Sequence, residues 1–213
     1  MGIIHKKPKK NGQKKGLGAG LRSGLITALD VGSTKVACFI AHPFEDGSAE
    51  VIGIGHQISE GIRNGNVTDM DAVEASIRAT VEAAEKMAGE NVRDVVLSIS
   101  GATLDSKLIS FDVSISSNEI GDADLRRALD PAWLYSQLPE DRRIIHALPV
   151  AFSIDGNRGV RDPRGMYGEK LSVNMHVVTA AAASLRNLVS CVNRCHLDIE
   201  SLVVTPFASG LSS

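Results

Sequence analysis

Leu25-Ile26-Thr27-Ala28-Leu29-Asp30-Val31-Gly32-Ser33-Thr34-Lys35-Val36-Ala37-Cys38-Phe39-Ile40-Ala41 is the stretch on which the reading of this chain turns. Two apolar runs flank a short polar segment, the pattern of two strands joined by a Gly/Ser/Thr turn. The turn carries Asp30, Gly32, Ser33, Thr34 and Lys35. A glycine in a tight turn lets consecutive backbone N–H groups point at one place, which makes a nest for phosphate, and Lys35 can reach a terminal phosphate. Asp30, at the strand end, suits the waters of a phosphate-bound Mg²⁺, an ion that keeps several waters and takes one or two carboxylates. Hairpins also use Gly-Ser turns for purely structural reasons, so the motif taken alone leaves both readings open.

Working outward, Val51-Ile52-Gly53-Ile54-Gly55-His56 follows an Asp46-Gly47 turn signal, and three antiparallel strands are expected to open the domain as a meander. Gly61-Ile62-Arg63-Asn64-Gly65-Asn66-Val67 reads as a loop. Thr68 or Asp69 then caps a helix whose stripe is Val73, Ile77, Val81, Ala84 and Ala88, ended by Gly89. Residues 94–100 read as a buried strand and 107–116 as a half-exposed one. A helix is expected between Gly121 and Gln137, capped by Asp122 and broken or kinked at Pro131. Residues 142–154 form a strand, 155–168 a Gly/Pro-punctuated loop and 171–180 another strand. Ser184 caps a helix through Cys195 with Leu185, Leu188, Val192 and Cys195 inward, and 199–204 is the last strand. Thr205-Pro206-Phe207-Ala208-Ser209 starts a helix, with proline near its first turn. The chain stops inside that helix, so it is expected to be the first part of something longer.

The 213 residues carry a formal charge of -2, but this total conceals opposites. Residues 1–29 hold Lys6, Lys7, Lys9, Lys10, Lys14, Lys15 and Arg22 against no acid, for +7; the remainder has 16 bases against 25 acids, for -9. Seven like charges among six glycines describe a disordered basic tail over 1–24, which cannot bury enough apolar surface to offset its ordering entropy. Such a tail can act as a solvated leader or touch anionic lipid. No aromatic residue or groove-reading motif accompanies the charge, so no specific nucleic-acid partner is expected. Eight aromatic residues in the whole chain leave the body to be packed by Val, Ile, Leu and Ala, which suits an α/β core. Collagen, coiled coil and a membrane-spanning helix are excluded by composition. Three cysteines cannot pair completely, which fits free thiols in a reducing cytoplasm. The basic start lacks the apolar core of a signal peptide, and Lys6 stands where a myristoylation motif needs Ser or Thr.

The strand-turn-strand with its DxGSTK loop, a third antiparallel strand and a capped helix together resemble the first subdomain of the actin, Hsp70 and sugar-kinase superfamily. More narrowly, residues 28–36, 51–55, 61–69 and Arg143-Ile144-Ile145-His146-Ala147-Leu148-Pro149 look like the FtsA family of bacterial actin-like cell-division proteins, and the likeness runs from about Leu25 to Ser213. The resemblance implies an α/β, actin/Hsp70-like (ribonuclease H-like) subdomain 1A in two parts, 25–91 and 172–213, with a small inserted α/β subdomain 1C of SHS2 type over 92–171. It implies ATP with Mg²⁺ as cofactor in the full-length protein, held by Asp30, Gly32, Ser33, Thr34 and Lys35, with Asp30 facing the metal through water. It implies filament formation, attachment of the FtsZ ring to the cytoplasmic face of the inner membrane, and self-association and recruitment of later division proteins through 1C. The family's second phosphate loop of DxGGGT type, adenosine loop, distal subdomains with the FtsZ site and terminal amphipathic helix all fall beyond residue 213. This stretch is therefore expected to bind ATP weakly or not at all by itself, and the basic tail to be at most an auxiliary lipid contact.

Hydrolysis is expected to be weak or absent. Chaperone ATPases of the superfamily place a Glu before the proline that opens the last helix, whereas Thr205 stands there, and a threonine hydroxyl is a poor base near neutral pH. No catalytic residue is assigned. Cys191-x-x-x-Cys195-His196 puts two thiols on one helical face, too few ligands for zinc, so they are read as core thiols. His146 is read as a structural histidine, and Arg158, Arg161 and Arg164 as a solvated loop able to contact proteins. Two alternatives remain: a pilus-assembly actin-like scaffold, and a sugar or acetate kinase, for which no base beside a substrate pocket is evident.

Overall fold

The computed structural model describes residues 24–117, 119–130 and 132–211. The expected basic tail over 1–24 lies outside them but for its last residue, as do Pro131 and the final two serines. Two sheets organise the chain. The first has the order β11-β6-β1-β2-β3, built from β1 (Ile26–Val31), β2 (Lys35–Pro43), β3 (Ala49–Ile58), β6 (Asp94–Ile99) and β11 (Asp198–Val204). β1, β2 and β3 form the antiparallel meander read from the sequence, while β6 and β11 run parallel to β1. A miniature hairpin, β4 (Ile62–Arg63) and β5 (Asn66–Val67), occupies the expected 61–67 loop.

Helix α1 (Met70–Ala88) follows because Asp69, at φ −144°, accepts from the N–H groups of Asp71 and Ala72, both at 3.1 Å. Gly89, at φ 71°, ends the helix with its N–H on the Glu85 carbonyl at 2.8 Å. Val73, Ile77, Val81 and Ala84 are buried on its inner face. α1 lies directly on β3 because the strand presents Gly53 and Gly55 there. A Cβ on Gly55 would stand 1.9 Å from the Thr80 carbonyl oxygen. α4 (Ala182–Arg194) covers the same core with Leu188, Cys191 and Val192, while Leu185 and Cys195 pack against it partly buried. Ser184 does not cap this helix. It sits in the first turn and donates instead to Asn66 Oδ1 at 2.7 Å, and Ala181 precedes the helix without a side-chain cap.

The second sheet has the order β7-β10-β8-β9, all antiparallel, from β7 (Leu104–Ser114), β8 (Arg142–Ile154), β9 (Asn157–Val160) and β10 (Lys170–Ala181). One face packs against α2 (Asp122–Ala128) and α3 (Ala132–Ser136) around Val113, Leu125, Leu134, Leu171 and Val173, with Phe111 stacked on Trp133 at 4.2 Å. α2 is capped by Gly121, whose N–H donates to Asp124 Oδ2 at 3.0 Å; Asp122, the expected cap, is the first helical residue and pairs with Arg164. The 155–168 segment is not all loop, since β9 pairs back on β8.

The division at 92–171 differs from sheet membership at both ends. Residues 94–99 are β6, which pairs with β1 and belongs to the first sheet. Val173 to Thr179, expected in the returning part of 1A, lie in β10, the central strand that joins β7 to β8 in the second sheet. Both strands are apolar on alternate or successive residues, a pattern that states burial and not which neighbour is paired. The chain therefore leaves the first sheet after Ile99 and rejoins its core through the end of β10, with Val178 and Ala180 buried there, and then α4.

Candidate functional site

β1, β6 and β11 are parallel, so their C-terminal ends come together, and an α/β sheet presents its ligand crevice at such ends. Each end supplies an oxygen. Asp30 of β1 lies in register with Ser98 of β6, and Thr205 follows the last residue of β11. Ser98 Oγ and Thr205 Oγ1 are 2.8 Å apart, and Thr205 Oγ1 is 3.3 Å from Asp30 Oδ1 and 3.2 Å from the Ile99 carbonyl oxygen. A hydroxyl has one proton, so Thr205 can donate to the carboxylate, to the carbonyl or to Ser98, and either hydroxyl can be the donor of the Ser98–Thr205 bond.

The 32–34 turn opens beside this cluster. Gly32 N–H does not join a nest: it donates to the Lys35 carbonyl at 3.0 Å and closes the hairpin. The N–H groups of Ser33 and Thr34 have no partner among the described residues, and both residues are exposed. Ser33 Oγ accepts from Gly65 N–H at 2.9 Å, which fixes the oxygen and leaves its proton to donate outward. Gly65, at φ 76°, is held against Gly101, where a Cβ would come within 2.8 Å of the Gly65 Cα. Lys35 is exposed and forms no ion pair among the described residues, and its register places it on the Asp30 face of the sheet. Two free N–H groups, one hydroxyl and one ammonium beside a carboxylate suit a phosphate chain that brings its own cation. No group of three or more His, Cys, Asp and Glu able to hold a metal unaided exists among the described residues. The fit to Mg²⁺ is therefore through Asp30 and a bound phosphate together.

Asp30, Gly32, Ser33, Thr34 and Lys35 thus fall in one turn, with Gly32 in a structural part. Sequence reasoning passed over Ser98 and Gly65. Ser98 is hidden inside an apolar run, and Gly65 is brought to the turn only by the fold. An apolar cleft of about 330 Å³ lies elsewhere, between the 204–207 segment and the second sheet, lined by Leu104, Leu148, Val178 and Phe207 among others, with Asp105 and His176 at its wall; with a carboxylate there and no Lys or Arg it does not suit phosphate.

The other candidates are structural. His146 Nε2 accepts from Val204 N–H at 3.1 Å and its ring lies 4.8 Å from Phe207, joining the second sheet to the end of β11. Burial foremost, with the charge of His176, holds its pKa below the ordinary histidine value. Cys191 and Cys195 face the Met70 and Glu74 carbonyls, and burial pushes Cys195 to about 11 and Cys38 to about 12, so neither is a thiolate near neutral pH. Arg164 is held by Asp122 and Asp162.

Comparison with known proteins first defines a class. Residues 101–179 match the family described as the SHS2 domain inserted in FTSA. The solved PilM-PilN type IV pilus biogenesis complex contains a chain similar in fold, with a TM-score of 0.57 over 86% of this chain and 48% of that chain at 16% identity. This is an actin-like α/β fold with an SHS2 insertion. Cell division protein FtsA of Rhizobium meliloti is 44% identical over 202 residues, which is 90% of this chain and 46% of the relative. FtsA of Agrobacterium fabrum is 43% identical over 202 residues, and FtsA of Pseudomonas aeruginosa 34% over 195. The chain thus resembles FtsA proteins over about 90% of its own length, and it spans a little under half the length of these relatives.

Proposed function

We propose that this chain is the N-terminal half of an FtsA-type cell-division scaffold. Such a scaffold binds ATP with Mg²⁺, assembles as an actin-like polymer, tethers FtsZ at the cytoplasmic face of the inner membrane and recruits later division proteins. The observation that carries the nucleotide part is the convergence of Asp30, the two free N–H groups of the turn and the unpaired Lys35 at the ends of three parallel strands. Mg²⁺ would supply charge neutralisation of the phosphates. The chain's own contribution is to donate hydrogen bonds from Ser33 and Thr34, to place Lys35 against negative charge and to hold metal-bound water with Asp30.

Hydrolysis is slow in this reading, because among the described residues the one side-chain hydrogen bond to Asp30 comes from a hydroxyl, which does not take a proton near neutral pH. The second sheet is the surface for self-association and recruitment, and the basic 1–24 segment adds an auxiliary contact with anionic lipid. Half of a phosphate clamp gives this stretch weak ATP binding by itself. A chimera in which the chain replaces the aligned part of the Rhizobium meliloti relative tests the whole reading. It is expected to sustain division in cells depleted of their own FtsA, and a filamentous, undivided phenotype would reject the reading.

A further inference from the structure

We propose that Thr205 is a positioning residue for the metal end of the nucleotide site, acting through Asp30 with Ser98 behind it; this rests on the nucleotide reading above. Asp30 and Thr205 are 175 positions apart, yet the hydroxyl stands 3.3 Å from Asp30 Oδ1. That is the only side-chain hydrogen bond recorded to this carboxylate among the described residues. A carboxylate at a strand end rotates about its side-chain torsions unless a donor fixes it, and an unfixed ligand must lose that freedom when it binds.

The donor is itself constrained. When Ser98 Oγ, at 2.8 Å, is the donor to Thr205, the Thr205 proton is left for Asp30 at 3.3 Å and the Ile99 carbonyl at 3.2 Å, an arrangement that the charge on the Asp30 carboxylate favours over the reverse direction. These two distances are nearly equal. The proton can therefore pass from the carboxylate to the carbonyl when Asp30 turns toward cation-bound water, without leaving a half-buried hydroxyl unsatisfied. Asp30 is thus oriented before a cation arrives and can adjust when it does. Asp30 and Ser98 lie at the ends of two parallel strands and Thr205 directly follows a third, which ties their spacing to the sheet.

This predicts a defect confined to the metal-dependent part of nucleotide affinity. The test is an NMR titration of the chimera with ATP, once with Mg²⁺ and once with EDTA, for wild type, Thr205→Val, Thr205→Ser and Ser98→Ala. In wild type Mg²⁺ is expected to tighten binding. In Thr205→Val that gain collapses toward unity, a loss of roughly tenfold or more, the scale of one hydrogen bond to a charged group. Metal-free affinity and melting midpoint stay at the wild-type values, Thr205→Ser restores the gain, and Ser98→Ala, which frees the hydroxyl to turn away, shows an intermediate loss. Should Thr205→Val not fold, Ser98→Ala and Thr205→Ser carry the test. Retention of the full Mg²⁺ gain in Thr205→Val, or an equal loss with and without metal, overturns this role and leaves the nucleotide reading standing. A wild-type chimera whose 30–35 resonances ignore ATP under both conditions overturns both.

Discussion

The Val204 backbone N–H donates to His146 Nε2 at 3.1 Å, and this bond fastens the last strand of the first sheet to the second sheet. Only an unprotonated Nε2 can accept it. Burial, and secondarily His176, lowers the folded pKa of His146, so the unfolded chain takes up a proton first as pH falls. The stability this confers is complete above the unfolded value of about 6.5 and is lost as pH falls through the lowered folded value. Thermal melts across that window are expected to show a declining midpoint in wild type and a flatter profile in His146→Gln, which keeps an acceptor but does not titrate. Parallel profiles would show that His146 does not report the fold.

Helix α1 should be the most sensitive element of the first core. Ile77 is fully buried, and Ile77→Ala is expected to cost about 2–5 kcal/mol, from lost transfer energy and the cavity left behind. Asp69→Ala removes a cap with two hydrogen bonds and should cost about 1 kcal/mol. Gly55→Ala drives a methyl into the Thr80 carbonyl and should cost about 1–3 kcal/mol by overpacking. Denaturant unfolding measures all three.

Thiol chemistry offers an independent check of the core. With Cys38 pushed up to about 12 and Cys195 to about 11, and Cys191 buried and raised as well, alkylation near neutral pH is expected to be slow at every cysteine of the native chain. Mass spectrometry should find them modified together, at the rate of global unfolding. Selective rapid labelling of Cys195 would show that α4 opens by itself.

The proposed role of the second sheet rests in part on its exposed arginines. Arg164 is engaged by Asp122 and Asp162, whereas Arg161 has no ion pair among the described residues. Charge reversal at Arg161 is expected to weaken self-association or partner recruitment of the chimera while leaving its unfolding free energy within about 0.5 kcal/mol of wild type. Sedimentation and pull-down with wild-type affinity would remove this surface from the account.

Local signals carried much of this structure. The Asp46-Gly47 turn, the Asp69 and Gly89 caps and the Thr205-Pro206 junction each announce themselves within a few residues, and each lies where its chemistry put it. Strand partnership did not. Residues 94–99 and 173–179 are both apolar strands, and nothing in their own pattern says that one pairs with β1 and the other with β7 and β8. The same limit governed the site. Asp30 and Lys35 share a turn and could be read together, but Ser98 and Gly65 reach that turn only through sheet register and a hairpin contact. The N–H of Gly32, read as part of the phosphate nest, is spent on closing its own hairpin.

The central claim is that the 30–35 turn holds the phosphates of a nucleotide, and the most direct measurement is the Kd of the chimera for Mg·ATP by calorimetric titration, with Lys35→Ala beside wild type. The account expects saturable binding that Lys35→Ala weakens by roughly tenfold or more, as loss of a charge-assisted contact requires. It also expects the isolated chain to bind far more weakly than the chimera. Equal affinity for wild type and Lys35→Ala, or tight binding by the 213 residues alone, would contradict it.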